Sequence, residues 1–236
     1  MKQYKAILFD MDGTLVPMDM EAFTSGYFKL LAKKLAKHGI EPAALVSAVW
    51  AGTAAMVKND GSKTNAEAFW ANFEANTGFP EAVIGPDCEE FYCLEFNDAK
   101  VFTSENPLAA EAVKVAREKA PVVVLATNPL FPMVGQITRM GWVGLKPDDF
   151  DLVTSYEEDR YCKPNPAYFT SIFERLGLDP SECLMIGNDE KEDMYAGTLA
   201  GMDCYLVTDT VIESKDHPWN GPRGTFAEMV EMLKAL

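Results

Sequence analysis

Short apolar runs recur along the chain, and several of them end in polar or acidic residues. The first run, residues 6–9, leads directly into Asp10-Met11-Asp12-Gly13-Thr14. Further runs lie at 122–126, 183–186 and 204–207, with a shorter one inside 151–154. Runs that are apolar at every position are typical of strands buried on both faces of a parallel sheet. The pattern therefore predicts five parallel strands.

A long helical interval separates the first two predicted strands. Apolar residues recur at helical spacing over 20–38 and 42–57. A capping box at Thr64–Glu67 begins a third helix that ends at Gly78, and residues 80–98 are again helical in character. We therefore predict that residues 17–99 form an all-helical domain inserted into the fold.

Helices and strands alternate regularly from residue 106 onwards. Asn-Pro pairs at 106–107, 128–129 and 165–166 are each typical of the N-cap and first position of a helix. Regular alternation implies right-handed crossovers and a parallel sheet with helices on both faces. The expected fold is therefore α/β, with a core made of residues 1–16 and 100–236 and the helical domain between them.

The net charge of the chain disfavours two classes of binding partner. The 236 residues include 21 basic and 36 acidic ones, which gives a net charge of −15. Nucleic acid and anionic membrane surfaces both require a basic face, so we expect neither as a partner. A phosphorylated substrate would have to be captured by a few local cations.

The cysteines and the first residues bear on location. Five cysteines form no Cys-x-x-Cys pair, which is typical of reduced thiols and not of a disulfide framework or a zinc site. The first residues lead straight into a strand, so we expect no signal peptide. No apolar run approaches the roughly 20 residues that a membrane helix needs. The sequence predicts a soluble cytoplasmic protein.

Polar side chains with complementary chemistry follow the predicted strands. They are Asp10 and Asp12 after the first strand, Thr127 and Asn128 after the second, Lys163 in the loop after the third, and Asp189 and Asp193 after the fourth. The carboxyl ends of parallel strands lie at one edge of a sheet, where open α/β folds bind ligands. Carboxylates suit Mg²⁺, whereas a hydroxyl, backbone amides and a lysine suit a phosphoryl group.

Each of these residues also has an ordinary structural explanation. Asp12-Gly13 is common turn chemistry, the Thr127 hydroxyl can bond its own backbone, and Asn128 can act only as an N-cap. A loop lysine such as Lys163 is usually exposed, and the acids at 189–193 suit a helix start. These explanations are independent of one another. It is therefore improbable that all of them apply at once, and the presence of such residues after four predicted strands favours a single site.

The same residues resemble the motifs of the haloacid dehalogenase-like hydrolase superfamily, in its large phosphatase branch. Asp10-Met11-Asp12-Gly13-Thr14 and Thr127-Asn128 match the first two motifs. Lys163-Pro164-Asn165-Pro166 departs from the more usual Lys-Pro-Asp-Pro, and Gly187-Asn188-Asp189 with Asp193 departs from Gly-Asp-Ser with a later Asp. The resemblance covers 1–16 and about 100–236. It implies a Rossmann-like core, with residues 17–99 as a helical cap of the C1 type.

The resemblance implies separate roles for the first two acids. Asp10 would be the nucleophile that forms an aspartyl-phosphate, and Asp12 would protonate the leaving oxygen and then deprotonate the attacking water. An acid at position 12 indicates phosphoryl chemistry, because the family's carbon–halogen hydrolases have none there. Mg²⁺ would be held by the Asp10 carboxylate, the Asp12 backbone carbonyl and Asp189.

The remaining motif residues would bind substrate or complete the metal site. Thr127, Asn128 and Lys163 would hold the transferring phosphoryl group. Asp193 could orient Lys163 or complete the shell around the metal, and both roles stay open at this point.

The predicted function is a Mg²⁺-dependent phosphatase that hydrolyses a small phosphorylated metabolite. A phosphomutase acting on a sugar phosphate is the alternative on the same fold. A third reading is a non-catalytic binding module, against which the intact acid pair argues. The sequence does not predict the substrate or the oligomeric state.

The helical domain carries candidate specificity residues. Candidates for a pocket wall are Trp50, Met56, Phe69 and Trp70. Their helical spacing favours packing inside the domain instead. Lys58 and Lys63 could reach a second anionic group of the substrate, although a solvated turn is the commoner setting for such lysines.

Overall fold

The computed structural model describes residues 2–236 and contains one sheet of six parallel strands. The strands are β1 (Ala6–Phe9), β2 (Val122–Leu125), β3 (Leu152–Val153), β4 (Cys183–Gly187), β5 (Asp203–Val207) and β6 (Arg223–Gly224). Their spatial order is β3-β2-β1-β4-β5-β6. The strand order therefore reverses at β1, and open α/β sheets form their ligand crevice at such a switch point.

The register of the central strands brings the polar strand ends together. Phe9 is opposite Leu125 on one side and Ile186 on the other. The chain segments that follow these three residues emerge side by side at one edge of the sheet. The sequence-based expectation of a shared edge is confirmed.

The predicted number of five strands is wrong by one. The additional strand, β6, pairs with Leu206 and Val207 at the edge of the sheet. The sequence around it, with Pro218, Gly221 and Pro222, predicted a polar loop. A two-residue edge strand contains no apolar run, so the hydrophobic pattern could not reveal it.

Nine α-helices accompany the sheet within the described residues. They are α1 (Met20–Leu35), α2 (Pro42–Val57), α3 (Asn65–Thr77), α4 (Glu81–Cys93), α5 (Ala109–Lys119), α6 (Met133–Trp142), α7 (Ala167–Leu176), α8 (Ala196–Leu199) and α9 (Phe226–Ala235). The predicted capping box before α3 is confirmed, because Thr64 and Glu67 exchange hydrogen bonds of 2.7 and 3.2 Å. No single helix among residues 2–236 is long and apolar enough to cross a membrane. The segments Met20–His38 and Pro42–Val57, bent by 112°, meet the length and composition criteria only as a pair.

Two predicted helix starts are wrong by a few residues. Helix α5 begins two residues after Pro107, and α6 begins at Met133, four residues later than predicted. Pro132 explains the later start of α6, because proline disfavours helical backbone at the residue before it. Residues 127–132 therefore form a loop, and Asn128 does not cap a helix.

Helices α1–α4 follow β1 in the chain and pack against one another and, through α4, against α6, whereas α5 and α9 contact the strands directly. Ile7 belongs to a hydrophobic cluster that continues into these helices, whereas Leu8 belongs to the cluster on the opposite face. The segments that enter and leave the helical region run side by side, with an antiparallel bridge between Met18 and Thr103. The division into a core and a separate domain at 17–99 stays a prediction.

Candidate active site

The loop after β1 holds two acids in a tight turn. Gly13 has a φ of +85°, and a Cβ atom there would lie 2.2 Å from Nδ2 of Asn188. Glycine is required, because both the left-handed backbone and the close approach exclude a side chain. The turn is closed by a 2.8 Å hydrogen bond from Gly13 N to the carbonyl of Val16. Asp10 and Asp12, on either side of Met11, consequently border the same cavity.

Lys163 is buried between two carboxylates. Its Nζ lies 2.9 Å from Oδ1 of Asp10 and 2.6 Å from Oδ1 of Asp193. Burial alone would lower the pKa of Lys163, but the charges of Asp10 and Asp193 outweigh it and raise that pKa well above its ordinary value. The side chain is therefore a buried ammonium and not the exposed loop lysine that is the common case.

Thr14 and Asn188 support the other side of Asp10. The Thr14 hydroxyl lies 3.3 Å from Oδ2 of Asp10 and 3.1 Å from Oδ1 of Asn188. Asn188 in turn donates to the carbonyl of Thr210 at 2.7 Å. Both oxygens of Asp10 therefore have a polar neighbour, which fixes the orientation of the carboxylate.

Asp193 is held facing Lys163. Its Oδ2 accepts a hydrogen bond from Asp189 N at 3.0 Å, which leaves Oδ1 for Lys163. A Cβ atom on Gly187 would lie 2.2 Å from Oδ2 of Asp193, so the absence of a side chain at Gly187 makes room for the carboxylate. Since both oxygens are occupied, the geometry favours an orienting role for Asp193 over a direct metal contact.

Asp189 caps the π-helix that follows β4, Glu190–Tyr195. Its Oδ1 accepts hydrogen bonds from Lys191 N at 2.7 Å and Glu192 N at 2.8 Å. Asp189 is partly exposed and borders the same cavity as the acids after β1. The residue is thus both a helix cap and part of the site.

The loop after β2 presents Thr127 and Asn128. The carbonyl of Thr127 accepts a 2.6 Å hydrogen bond from the Thr154 hydroxyl, while the hydroxyl of Thr127 makes no hydrogen bond within residues 2–236. Oδ1 of Asn128 accepts from Lys163 N at 3.2 Å, and its Nδ2 donates to Glu192 at 2.9 Å. Thr127 therefore has a free hydroxyl at the cavity, and Asn128 connects the loop of Lys163 to the segment after β4.

Arg139 of α6 is a site residue that the sequence did not reveal. Its guanidinium is completely buried and donates through Nη1 to Oδ2 of Asp12 and through Nη2 to Gln136. The guanidinium carbon also lies 4.2 Å from the centroid of the Phe131 ring, a cation–π contact. The only available signal was the pair Gln136 and Arg139, two polar residues three positions apart on a helix, and this spacing also fits an exposed face.

The surroundings of Asp12 act on the pKa of its carboxyl in opposite directions. Burial raises the pKa of its carboxyl, the Arg139 guanidinium opposes that rise, and the charge of Asp10 adds to it; the net direction is upward. Its Oδ1 is buried without a hydrogen-bond partner within the described part of the chain. The carboxyl therefore combines one anchored oxygen with one free oxygen.

A cavity of about 340 Å³ lies between these loops and helices α1–α4. Its floor is formed by the polar strand ends, and its wall is largely aromatic. Trp50, Phe69 and Trp70 border it, whereas Met56 is buried elsewhere. The side chains of Lys58 and Lys63 are exposed and do not border it, which agrees with the favoured prediction of a solvated turn and gives no support to a substrate contact.

The donor set at the floor fits a hard cation. Within residues 2–236, no three His, Cys, Asp or Glu side chains converge as a metal-binding group on their own. Mg²⁺, however, commonly takes only one or two carboxylates together with water and substrate oxygens. Asp10 and Asp189 both border the cavity, and Asp12 lies on the same turn as Asp10. These residues could therefore hold such an ion.

The central strand of a parallel sheet thus delivers an aspartate to a buried lysine at the edge where open α/β folds bind their ligands. The sequence model for the haloacid dehalogenase-like hydrolases matches residues 4–201, and the chain belongs to this family. The resemblance found in the motifs is thereby confirmed.

Several named proteins are similar in sequence to this chain, and the share of the chain that each one matches differs. The phosphoglycolate phosphatase of Yersinia pseudotuberculosis serotype I is 25% identical over 100% of this chain and 94% of its own length. The glyceraldehyde 3-phosphate phosphatase of Methanothermobacter thermautotrophicus is 34% identical, over 37% of this chain and 39% of its own length. The solved structure of the HAD-hydrolase YfnB from Bacillus subtilis, described as bound to magnesium, has a TM-score of 0.62 at 20% identity, with 100% of both chains covered. This structural likeness shows that the two proteins share a fold.

Proposed function

We propose that this protein is a phosphatase that hydrolyses a phosphoric monoester through an aspartyl-phosphate on Asp10. The supporting observation is the carboxylate of Asp10 at the floor of a cavity, held by Lys163 at 2.9 Å with Asp12 on the same turn. Phosphatase names among the relatives support the same reaction class.

Asp10 and Asp12 would carry the chemistry. The Asp10 carboxylate attacks phosphorus, and the bond to the leaving oxygen breaks as Asp12 gives that oxygen a proton. Water then attacks the phosphorus while Asp12 takes its proton, which releases phosphate and restores Asp10. The unpartnered Oδ1 of Asp12 is the oxygen available to carry this proton. The raised pKa of Asp12 suits a group that must be protonated in the first step.

Neighbouring side chains would position the phosphoryl group. The ammonium of Lys163 balances the charge of Asp10, and Asp193 keeps that ammonium in place. The free hydroxyl of Thr127 is a donor for a phosphoryl oxygen. Asn128 fixes the loop of Lys163 by accepting from its backbone N–H.

Mg²⁺ would be held by the Asp10 carboxylate, the Asp12 backbone carbonyl and Asp189. When bound, it supplies positive charge that screens the carboxylate of Asp10 from the phosphate dianion. Helices α1–α4 would act as a cap that excludes water from the reaction. Both assignments rest on the shared cavity and on the family.

Phosphate release from p-nitrophenyl phosphate and a metabolite panel tests this proposal. We expect release that is abolished by EDTA and restored by Mg²⁺. Asp10→Asn should lower kcat by at least about 10³-fold, as the loss of a covalent nucleophile does. Asp148→Asn is a matched control, because Asp148 is exposed, precedes β3 and does not border the cavity.

Three results would contradict the proposal. Absence of phosphate release from every ester would exclude a phosphatase of this type. Full activity in Asp10→Asn would refute the nucleophile. An isomeric product with little free phosphate would identify a phosphomutase instead.

A further inference from the structure

We propose that the alcohol released by this phosphatase is uncharged, apolar and elongated, so that it occupies the cavity beside α1; this inference rests on the proposed function. The floor of the cavity contains Asp10, Asp12 and Thr127, so the phosphoryl group defines one end of the bound ester. The rest of the cavity must then accommodate the organic part of the substrate.

The wall of the cavity provides no cation. Among the described residues that border it there is no lysine, arginine or histidine, and its charged members are all carboxylates. Lys163 and Arg139 lie behind the floor, each paired with an aspartate. A second anionic group on the substrate would therefore lose its hydration next to like charges and gain no counter-charge.

Most polar side-chain atoms of the wall already have partners, and among its hydroxyl and ring N–H groups within residues 2–236 only the Thr24 hydroxyl and Trp50 Nε1 make no hydrogen bond. The hydroxyls of Tyr27 and Tyr92 lie 2.8 Å from one another, and Trp70 Nε1 donates to the Tyr156 hydroxyl at 3.3 Å. The hydroxyl of Thr53 donates to a carbonyl of its own helix at 2.9 Å. A polyol such as a sugar would therefore find few free partners along this wall, and sites of this kind discriminate against groups that they leave unpaired.

The cavity extends along the whole of α1. Its lining residues on α1 run from Met20 through Phe23, Tyr27 and Leu31 to Leu35, at the three- and four-residue spacing of one helical stripe. The fifteen steps from Met20 to Leu35 span about 22 Å at 1.5 Å per residue. Helix α1 begins eight residues after Asp12, so its first turn lies at the phosphoryl end and Leu35 at the far end. An alkyl or aryl chain fits this shape better than a compact acid does.

A series of n-alkyl monophosphates tests the inference, with 2-phosphoglycolate, glucose 6-phosphate and phenyl phosphate as comparisons. We expect kcat/KM to rise about fourfold per added methylene until the cavity is filled. The longest accepted alkyl ester should exceed 2-phosphoglycolate and glucose 6-phosphate by at least about 10²-fold. Equal or better turnover of either polar ester, or no dependence on chain length, would overturn the inference.

Two variants sharpen the result. Leu35→Phe should fill the far end and remove the gain for long chains, whereas Leu94→Phe, at an exposed leucine outside the cavity, should have no effect. Thr53→Lys places a cation in the wall and should lower the preference for alkyl esters over 2-phosphoglycolate by about tenfold or more. Unchanged preferences in well-folded variants would count against the assigned occupant.

Binding separates this inference from the proposed function. Non-hydrolysable n-alkyl phosphonates should quench the fluorescence of Trp50 and Trp70, which border the cavity, with a Kd that falls as the chain lengthens. Chain-dependent binding without hydrolysis of any ester would uphold the cavity assignment and refute the phosphatase. Hydrolysis together with chain-independent binding would do the reverse.

Discussion

The buried guanidinium of Arg139 anchors one oxygen of Asp12 and leaves the other without a partner. This pairing connects helix α6 to the turn after β1. It places a fixed positive charge beside the residue proposed as the acid and base. Arg139 is therefore a positioning residue, and its effect on activity should pass through Asp12.

Arg139→Met should lower both stability and activity. Removal of one partner of a buried ion pair costs about 3–5 kcal/mol, because the other charge is left uncompensated. We also expect kcat to fall by about 10²-fold or more, since Asp12 loses its orientation. Urea unfolding and steady-state kinetics measure the two effects. Arg117→Met is the control, because its ion pair with Asp151 is exposed and should contribute less than about 1 kcal/mol.

A double-mutant cycle distinguishes positioning from packing. If Arg139 acts through Asp12, the kinetic effects of Asp12→Asn and Arg139→Met should not add, with a coupling of about 1 kcal/mol or more. Additive effects would show that Arg139 only fills space in the core.

Lys163→Met should be more damaging than Asp193→Asn. Loss of the ammonium leaves two carboxylates facing each other, which we expect to cost about 3–5 kcal/mol of unfolding free energy and nearly all activity. Asp193→Asn retains Lys163 and Asp10, so it should lower kcat by roughly 10–100-fold through misplacement of the ammonium. Comparable kcat values for the two variants would contradict the orienting role of Asp193.

The sequence predicted the sheet and most of the site for a physical reason. Buried parallel strands require continuous apolar runs, and polar residues at their ends stand out against them. The sequence alone was therefore enough to predict Asp10, Thr127 and Asp189 as candidate site residues. Lys163 was predicted from its place in the loop after the third strand, although its burial was visible only in the structure.

Arg139 and the cavity could not be predicted in the same way. Arg139 comes from the interior of a helix, where a polar residue fits a buried or an exposed face equally well. Phe69 and Trp70 have the spacing of core residues, and a pocket wall has that spacing too. Short elements such as β6 adopt strand conformation because they pair with a neighbouring strand, and their own residues do not predict it.

Gly13→Ala should destabilise the site more than a similar change elsewhere. Gly13 and Gly144 both have positive φ, but only at Gly13 would the new Cβ meet another atom, Nδ2 of Asn188 at 2.2 Å. Gly144→Ala should cost about 1–2 kcal/mol from backbone strain alone. Gly13→Ala should cost more and should also lower kcat, because displacement of Asn188 disturbs Thr14 beside Asp10. Equal costs in urea unfolding, with unchanged kcat, would contradict the contact.

The stability of the protein should depend on the ionisation of Asp159. Burial raises the pKa of this carboxyl from 3.8 to about 6, although its oxygens accept hydrogen bonds from Ser155 N at 2.9 Å and Arg175 at 3.1 Å. The folded state therefore binds a proton more tightly than the unfolded state. The resulting stabilisation is fully present below pH 3.8 and is lost as the pH rises through about 6.

Relative to Asp159→Asn, the wild-type chain should gain about 2–3 kcal/mol of unfolding free energy when the pH is lowered from 7 to 4. Urea unfolding of both proteins across this range measures the difference, and a difference that stays constant with pH, or that reverses in sign, would show that the carboxyl is not perturbed in this direction.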